Sequence, residues 1–150
     1  MAKLPPNPLV SEILRAAHGA KTVEKKVQIL SQYKRDDVKA CLIWNFDKAI
    51  RSAIPEGDVP YTPNDAPIGT DHTRLEQEYR GLYRFFKGGD SRLKGLKRET
   101  MFVQLLEGLY QDEAELIVLV KDGGLTKKYK RITKAVVSEA FPQIEWGGRS

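Results

Sequence analysis

Residues 112–142, DEAELIVLVKDGGLTKKYKRITKAVVSEAFP, decide the fold because they encode two helices separated by a glycine break. The acidic pair at the start favours a helix N-terminus, and the apolar residues that follow recur at helical spacing. Gly123 and Gly124 are expected to end this helix, since glycine adopts the left-handed backbone angles that other residues resist. The stretch therefore predicts a helical fold with a sharp turn near residue 124.

The turn after the glycines is strongly basic. We expect Thr126 to cap this turn and Thr133 to cap the last helix, which runs to Ala140 before Pro142. A helix start that combines cations with free backbone N–H groups suits a phosphate. Tyr129 lies inside the turn, where it either stacks on nucleic acid or packs on the last helix. The cations of the turn are Lys127, Lys128, Lys130 and Arg131.

The composition bounds the size and the class of the protein. A chain of 150 residues with 41% hydrophobic content can bury one core, so we expect a single domain, residues 1–150. The net charge of +5 and the pI of about 9.3 are compatible with nucleic acid, with an acidic protein partner or with neither. The single cysteine excludes an internal disulfide and favours a reducing compartment. No apolar run approaches the roughly 20 residues of a membrane span, so we expect no membrane contact and an intracellular location.

The first third of the chain repeats the helical pattern. A proline-rich irregular arm, residues 1–8, leads into the first helix, whose start is marked by Asn7-Pro8 or by Ser11. Thr22 opens a second helix, which should form a hairpin with the first and carry Lys25 and Lys26 on its outer face. A third helix begins at about Asp36 and buries apolar residues on one face.

A loop near residues 55–70 interrupts the helices because it contains too many prolines for a helix or a central strand. We expect the loop to be ordered, since Val59, Tyr61 and Ile68 can anchor it to the core. Its carboxylates, Glu56, Asp58 and Asp65, either bind a cation or form a solvated connection, and their spacing matches no calcium loop.

The remaining pattern contains no strand period. A fourth helix should run from Leu75 to Phe86 after a cap at Asp71 or Thr73, and a fifth should end before Tyr110. Residues 144–150 are expected to form a flexible tail. Together these patterns predict an all-α domain of six or seven helices.

Positive charge is concentrated in two segments, each of which begins near a Gly-Gly pair and continues into the next helix start. Residues 84–98 contain six basic residues and one acid, and residues 121–134 contain another six and one acid. Two such corners on one face would follow a phosphate backbone, whereas single clusters also occur as solvated loops. The basic candidates of the first segment are Arg92, Lys94, Lys97 and Arg98.

No catalytic set is visible in the sequence. The two imidazoles, His18 and His72, are far apart in the chain and lie in no motif, and no phosphate-binding glycine loop occurs. Cys41 lies within an apolar helical pattern and is interpreted as a core thiol rather than a nucleophile. We therefore expect no enzyme activity, no cofactor, no metal site and no small-molecule substrate.

Two blocks of the sequence resemble the N-terminal helical DNA-binding domain of bacteriophage ATP-dependent DNA ligases. The first block is SEILRAAHGAKTVEKKVQILSQYKRDDVKACLIWNF, and the second is ETMFVQLLEGLYQDEAELIVLVKDGGLTKKYKRITKAVVSEAFP. The ligases carry a catalytic lysine in a K-x-D-G motif of a separate domain. Here Lys121-Asp122-Gly123 lacks the intervening residue, so the resemblance implies only the DNA role. Its matching positions are Lys21, Thr22 and Lys25 in the first hairpin and Gly124, Thr126, Lys127 and Lys128 in the last turn.

The chain also resembles a family of small proteins of large tailed bacteriophages, through its PEGD…Y.PNDAP…T.HTRL segment, residues 55–75. This second resemblance implies no activity. The preferred hypothesis is a non-catalytic, largely sequence-independent duplex DNA-binding module of phage replication, repair or recombination, located in the host cytoplasm. The alternative is a protein-interaction module, either a virion component or a regulator that docks on a phage or host protein.

Overall fold

Seven α-helices and two short 3-10 helices form the regular structure of the described residues, and no β-strand occurs among them. The computed structural model describes residues 4, 6–47, 49–57, 59–67, 72–90 and 92–144. The predicted all-α fold of six or seven helices is confirmed. The α-helices are α1 (Val10–Gly19), α2 (Val23–Gln32), α3 (Asp36–Phe46), α4 (Leu75–Glu78), α5 (Gly95–Gly108), α6 (Gln111–Lys121) and α7 (Lys134–Ala140), and the 3-10 helices span Tyr79–Phe85 and Leu125–Lys127.

Helix α6 lies at the centre of the core, where it contacts α1, α3 and α5. Its Leu116, Ile117 and Val120 are completely buried, as the helical spacing predicts. Helix α7 packs on α2 instead, so residues 112–142 supply both the central helix and the closing helix. No helix among the described residues has the length and apolar character needed to cross a bilayer.

Helices α1 and α2 form the predicted hairpin, and the Thr22 hydroxyl caps α2 by accepting from the Lys25 backbone N–H at 3.2 Å. Lys25 is exposed, but Lys26 is only 4% exposed and its ammonium donates to the carbonyl of Ala20. The prediction of an outward Lys26 is therefore wrong. A carbonyl left unpaired at the end of α1 provides the acceptor that a buried lysine needs.

The glycine break after α6 has the geometry of a Schellman motif. Gly123 has a φ of +68°, its N–H donates to the carbonyl of Val120 at 3.1 Å, and the N–H of Gly124 donates to that of Leu119 at 2.8 Å. The left-handed angle predicted for both glycines is confirmed for Gly123 and wrong for Gly124, whose φ is −102°. One left-handed residue is enough to reverse the chain here.

The caps that follow the break are partly as predicted. Thr133 caps α7 by accepting from the Val136 N–H at 3.3 Å. Thr126 lies inside the Leu125–Lys127 turn and caps nothing, so that prediction is wrong. The side chain of Asn45, on α3, accepts from the Leu125 N–H at 2.8 Å and takes the place of the expected cap.

The fourth helix is shorter than predicted, because α4 ends at Glu78 and continues as the 3-10 helix to Phe85. Gly81, a poor helix former, lies within this 3-10 segment. Neither predicted cap residue is observed in that role: Asp71 lies outside the described residues, and the Thr73 N–H donates to the carbonyl of Gly108 at 2.7 Å.

A buried carboxylate holds the starts of α1 and α4 together. Glu113 is 1% exposed, and its two oxygens accept from the Val10 and Leu75 N–H groups, each at 3.0 Å. Burial raises the pKa of Glu113 to about 7, although the two hydrogen bonds and Arg74 act to lower it. One side chain of α6 therefore satisfies the first N–H groups of two other helices.

The described part of the proline-rich loop, residues 55–57 and 59–67, is attached to the rest of the fold. The ammonium of Lys121 donates to the carbonyls of Pro55 and Gly57 at 3.0 and 2.7 Å, and it also pairs with Asp122. Val59 and Tyr61 pack against the core as expected. Asp58 and Ile68 lie outside the described residues, as do residues 1–3 and 5 of the arm and residues 145–150 of the predicted tail.

Candidate nucleic-acid interface

The predicted DNA-contacting residues fall into three groups, which we name by position. The hairpin corner contains Lys21, Thr22 and Lys25; the terminal turn is residues 124–131; and the α5 corner contains Arg92, Lys94, Lys97 and Arg98. All three residues of the hairpin corner are exposed, and the Thr22 hydroxyl accepts the cap hydrogen bond of α2. The two lysines therefore have ammonium groups available to solvent at the start of α2.

The terminal turn contains exposed side chains and one lysine that forms an ion pair. Thr126, Lys127, Lys130 and Arg131 are exposed, whereas Gly124 is buried. The ammonium of Lys128 lies 3.2 Å from a carboxylate oxygen of Glu115, on α6. Because this acid neutralises Lys128, the cations of the turn that remain unpaired among the described residues are Lys127, Lys130 and Arg131.

Tyr129 is buried in the fold rather than presented to a ligand. It is 2% exposed, and its ring meets that of His18 edge to face with 6.3 Å between centroids. Burial raises the pKa of its hydroxyl to about 12. Of the two roles that the sequence left open for Tyr129, packing is the one observed and stacking on nucleic acid is excluded.

The backbone donors of the terminal turn are largely used within the chain. The Leu125 N–H binds Asn45, the Lys127 N–H donates to the carbonyl of Gly124 at 2.9 Å, and the Arg131 N–H donates to Nδ1 of His18 at 3.3 Å. The expected phosphate site made of free N–H groups is therefore not present at these positions. Any anion bound here would be held mainly by side-chain cations.

The terminal turn contacts His18 at the end of α1, three residues before the hairpin corner in sequence. His18 is the residue before the last in α1, close in sequence to the hairpin corner, and it accepts the hydrogen bond from Arg131 of the terminal turn. The pKa of His18 is lowered by burial and by the positive charges of Arg131, Lys26 and Lys130. Burial is the largest cause of this shift, and the three cations add a positive electrostatic potential, which a phosphate at the same place would also experience.

In the α5 corner, the guanidinium of one arginine is used in hydrogen bonds to the backbone. The guanidinium of Arg98 donates to the carbonyls of Arg84, Asp90 and Leu93 at 2.9, 3.2 and 2.8 Å. It fixes the segment before α5 and is not free to bind a phosphate. Arg92, Lys94 and Lys97 remain exposed, with a 3.9 Å contact between Arg92 and Asp90.

The α5 corner has different neighbours from the other two groups. Its hydrogen bonds join α5 to the 3-10 helix of residues 79–85 and to the segment that follows, whereas the terminal turn contacts α1, α3 and α6. The terminal turn is thus anchored to the end of α1, close in sequence to the hairpin corner, whereas the α5 corner is anchored to residues 84–93.

Several residues that organise these surfaces were missed by the sequence patterns. His18 and Asn45 anchor the terminal turn through single hydrogen bonds from distant helices, and Lys26 and Lys121 are buried structural cations. A lysine that binds carbonyls looks in sequence like one that faces solvent. The only available signal for His18 is an imidazole at a helix end next to a glycine.

No alternative chemistry stands out among the described residues. They contain no cluster of three or more His, Cys, Asp or Glu side chains that could hold a metal ion. Cys41 is completely buried, and burial raises the pKa of its thiol well above the usual value, which agrees with the predicted core role.

Comparison with known proteins identifies a family but no activity. The model of a family of unknown function (DUF6433) matches residues 13–127, which extend from α1 into the terminal turn. No curated protein and no solved structure matches the chain, and no comparison links it to the ligase domain. Because the match covers most of the sequence, the chain belongs to the DUF6433 family.

Proposed function

We propose that the protein binds duplex DNA through the phosphate backbone, without catalysis and largely without regard to sequence. The observation that carries the proposal is the hydrogen bond from the Arg131 N–H to His18, which brings the terminal turn to the end of α1, three residues before Lys21. Each group alone resembles an ordinary solvated loop. Together they would concentrate positive charge on one surface of a protein whose net charge is +5.

Five exposed cations form the core of the proposed site, and none of them has an ion-pair partner among the described residues. They differ in this respect from Lys128, which Glu115 neutralises, and from Lys26 and Lys121, which are buried. Flexible lysines suit phosphates as point charges and impose no base preference. The five cations are Lys21, Lys25, Lys127, Lys130 and Arg131.

Binding of this kind depends steeply on salt. If five phosphates are neutralised, the logarithm of the association constant falls with a slope of roughly −4.5 against the logarithm of salt concentration. Affinity should therefore drop by roughly 500-fold between 50 and 200 mM salt. Fluorescence anisotropy of a labelled 20-base-pair duplex measures both values. Absence of binding at 50 mM salt would refute the proposal.

The double variant Lys127→Glu/Lys130→Glu tests the surface directly. We expect it to weaken binding at 50 mM salt by roughly 100-fold, because two phosphate contacts become repulsions. The variant Lys34→Glu/Lys39→Glu makes the same change in charge in the link that follows α2 and on α3, and it should weaken binding far less. Equal losses of DNA affinity in both double variants would show that binding depends on the net charge of the protein and not on a defined site.

A comparison inside the terminal turn sharpens the test. Lys128→Gln removes a cation that Glu115 already neutralises, whereas Lys127→Gln removes an unpaired one. Lys127→Gln should reduce the salt slope by about 1 and Lys128→Gln should leave it nearly unchanged. A larger reduction of the salt slope in Lys128→Gln than in Lys127→Gln would show that the ion pair between Lys128 and Glu115 opens when DNA binds.

The resemblance to the helical DNA-binding domain of bacteriophage ligases supports the same surface. Its matching positions lie in the hairpin corner and in the terminal turn, and the hydrogen bond between Arg131 and His18 brings the terminal turn to the helix that precedes the hairpin corner. On this resemblance the module belongs to phage DNA replication, repair or recombination. Dependence of phage DNA synthesis on Lys127 and Lys130 in infected cells would test that assignment.

A protein-interaction role is the second candidate, and the ordered loop of residues 55–57 and 59–67 is the observation that favours it. The buried Lys121 fixes this loop while Pro55, Glu56, Pro63 and Asp65 stay exposed. A second copy could place its basic surface on this acidic loop. Light scattering after gel filtration at low salt should then show assemblies that Glu56→Gln/Asp65→Asn dissociates, and a monomer at all concentrations would exclude this form of association.

A further inference from the structure

A polar pocket lies between three segments of the fold. Its volume is about 610 Å³, within the range of roughly 300–1,000 Å³ that is typical of small-ligand sites. The end of α3 forms one wall, residues 50–56 and Lys87 form the second, and residues 121–123 form the third. The described residues that line the pocket include none of the five cations of the proposed DNA site, so it is a separate surface.

Hydrogen bonds join the walls of the pocket to one another. Two backbone hydrogen bonds of 2.7 Å pair residues 51–53 with residues 85–87. The buried ammonium of Lys121 binds the carbonyls of Pro55 and Gly57 and so ties the second wall to the third. A ligand that enters a preformed pocket loses less free energy in ordering the protein.

Two residues in the wall have buried hydrogen-bond donors without a partner among the described residues. They are Trp44, whose side chain is 3% exposed and whose indole N–H is unpaired, and Ser52, whose hydroxyl is unpaired. Phe86 connects them, because it pairs with Ser52 in the backbone bridge and its ring meets that of Trp44 with 4.9 Å between centroids. Buried donors are nearly always satisfied in proteins, so these two indicate an acceptor supplied from outside the chain.

Carboxylates line the same pocket. Its ionisable residues are three acids and two lysines: Asp47, Glu56, Asp122, Lys87 and Lys121. Asp47 is 2% exposed and lies three positions after Trp44, at the end of α3. Lys121 is already paired with Asp122 at 2.8 Å. The pocket therefore has no excess of positive charge, in contrast to the basic surfaces described above.

Charged ligands match this set of groups poorly. An anion would enter a pocket that contains three carboxylates, which repel it. A simple cation has no acceptor to offer and would leave both the Trp44 and the Ser52 donors unpaired. A hydroxyl group both donates and accepts, so neighbouring hydroxyls can satisfy donors and carboxylates together without adding a net charge.

We propose that this pocket binds an uncharged ligand with several neighbouring hydroxyl groups, which is the chemistry of a sugar ring. Its hydroxyl oxygens accept from the indole N–H of Trp44 and from the hydroxyl of Ser52, and its hydroxyl protons are donated to the carboxylate of Asp47. A free sugar and the ribose of a nucleoside share this chemistry. The proposal does not depend on DNA binding.

The indole N–H of Trp44 is a direct reporter of binding. The chain has two tryptophans, so the variant Trp146→Phe leaves one indole resonance in a proton–nitrogen correlation spectrum. At millimolar concentration, at least one of glucose, galactose, ribose and adenosine should move this resonance downfield to saturation, because the N–H gains an acceptor. A shift with adenosine or ribose alone would identify a nucleoside as the source, and a shift with glucose or galactose alone would identify a free sugar.

Ser52→Ala tests the pocket without removing a contact of the free protein. Its hydroxyl has no partner there, so the variant should keep the thermal transition of the wild type, but it should bind the sugar roughly five- to tenfold more weakly. Ser11→Ala is the matched control, because the Ser11 hydroxyl is also buried and unpaired but does not line the pocket. This control should leave the affinity for the sugar unchanged.

Three results would overturn the proposal. The first is the absence of a saturable shift with all four hydroxylated probes, which would show that water satisfies the two donors. The second is an equal or higher affinity for inorganic phosphate or for glycine, since these probes carry charges in place of a hydroxylated ring. The third is an unchanged affinity in Ser52→Ala, which would place the ligand elsewhere. None of these results bears on DNA binding, which the anisotropy titrations measure separately.

Discussion

The two glycine pairs, Gly88-Gly89 and Gly123-Gly124, look alike in sequence but are constrained differently in the structure. The first glycine of each pair has a positive φ, +82° for Gly88 and +68° for Gly123. A Cβ on Gly89 would overlap the carbonyl oxygen of Tyr83, whereas a Cβ on Gly124 would make ordinary contacts of 3.4 Å. A Gly-Gly pattern therefore indicates a helix end, but only the surrounding backbone decides whether the second glycine is required.

The basic segments that follow the two pairs are also held by different chemistry. Arg98 fixes the α5 corner with a guanidinium, which stays charged at every pH a protein tolerates. Asn45 and His18 fix the terminal turn with a neutral amide and a neutral imidazole. The first attachment does not titrate, whereas the second includes His18, whose pKa is lowered from 6.5 by burial and by nearby cations.

The largest expected effect is the contrast between Gly89→Ala and Gly124→Ala. Gly89→Ala should lower the free energy of unfolding by about 3 kcal/mol or more, because the new methyl group overlaps a backbone oxygen that cannot move alone. Gly124→Ala, with a φ of −102° and ordinary contacts, should change it by less than about 0.5 kcal/mol. Urea unfolding measures both values. Similar losses in the free energy of unfolding for the two variants would show that the two second glycines are equally constrained.

Glu113 makes the free energy of unfolding of the whole fold depend on pH, and the pH response of each corner is measured against that dependence. Its pKa is raised from 4.5 to about 7, so its contribution to stability is fully present below pH 4.5 and is lost as pH rises through 7. The loss across that window should be about 3 kcal/mol in urea unfolding.

The variant Glu113→Gln is the control for this titration. Its free energy of unfolding should no longer fall between pH 4.5 and 7, because an amide does not titrate, and its single oxygen can accept from only one of the Val10 and Leu75 N–H groups. A variant that retained the full pH slope would assign the titration to another group.

Removal of the Arg98 guanidinium should increase local opening in the α5 corner and not in the terminal turn. Arg98→Ala should cost about 2 kcal/mol, because three carbonyls lose a charged donor. Hydrogen exchange should accelerate at the amides of residues 86–90 and stay unchanged at residues 125–131. Lys97→Ala, one position earlier and exposed, is the matched control and should remain within about 0.5 kcal/mol of wild type. Faster exchange in both corners would show that they are coupled.

Much of the fold could be predicted from the sequence because the signals were local. The spacing of apolar residues located α1, α2, α3, α5, α6 and α7, and the caps at Thr22 and Thr133 follow from residues three positions apart. The 3-10 continuation of α4 was missed because the apolar spacing was interpreted as one α-helix, although Gly81 within it is a poor helix former.

The candidate site was less predictable because its geometry depends on long-range partners. The sequence correctly indicated where cations concentrate, but it did not distinguish Lys127 from Lys128, whose partner Glu115 lies on α6. It also did not reveal that Lys26 is buried at the end of α1, or that Arg98 binds three carbonyls. The role of a charged side chain is decided by acceptors that are distant in sequence, and no periodicity encodes them.

The smallest expected effect concerns the hydrogen bond that the Arg131 N–H in the terminal turn donates to His18. The pKa of His18 is lowered from 6.5, so its contribution to stability is fully present above pH 6.5 and is lost as pH falls through the lower folded value. Protonated Nδ1 cannot accept from the Arg131 N–H, and the imidazolium is repelled by Lys26, Lys130 and Arg131. The loss of one such hydrogen bond is worth about 1 kcal/mol. On acidification from pH 7.5 to 5, the Arg131 amide resonance should therefore shift and its exchange should accelerate relative to the intrinsic rate.

The same acidification should leave the amides of the α5 corner unchanged, because Arg98 does not titrate. His18→Ala should remove the pH dependence of the Arg131 amide, while Leu125, whose N–H binds the side chain of Asn45, stays protected at every pH. The direction is opposite to that of Glu113, so a pH change that stabilises the whole fold loosens the terminal turn. An Arg131 amide that titrated equally in His18→Ala would show that another group anchors the turn.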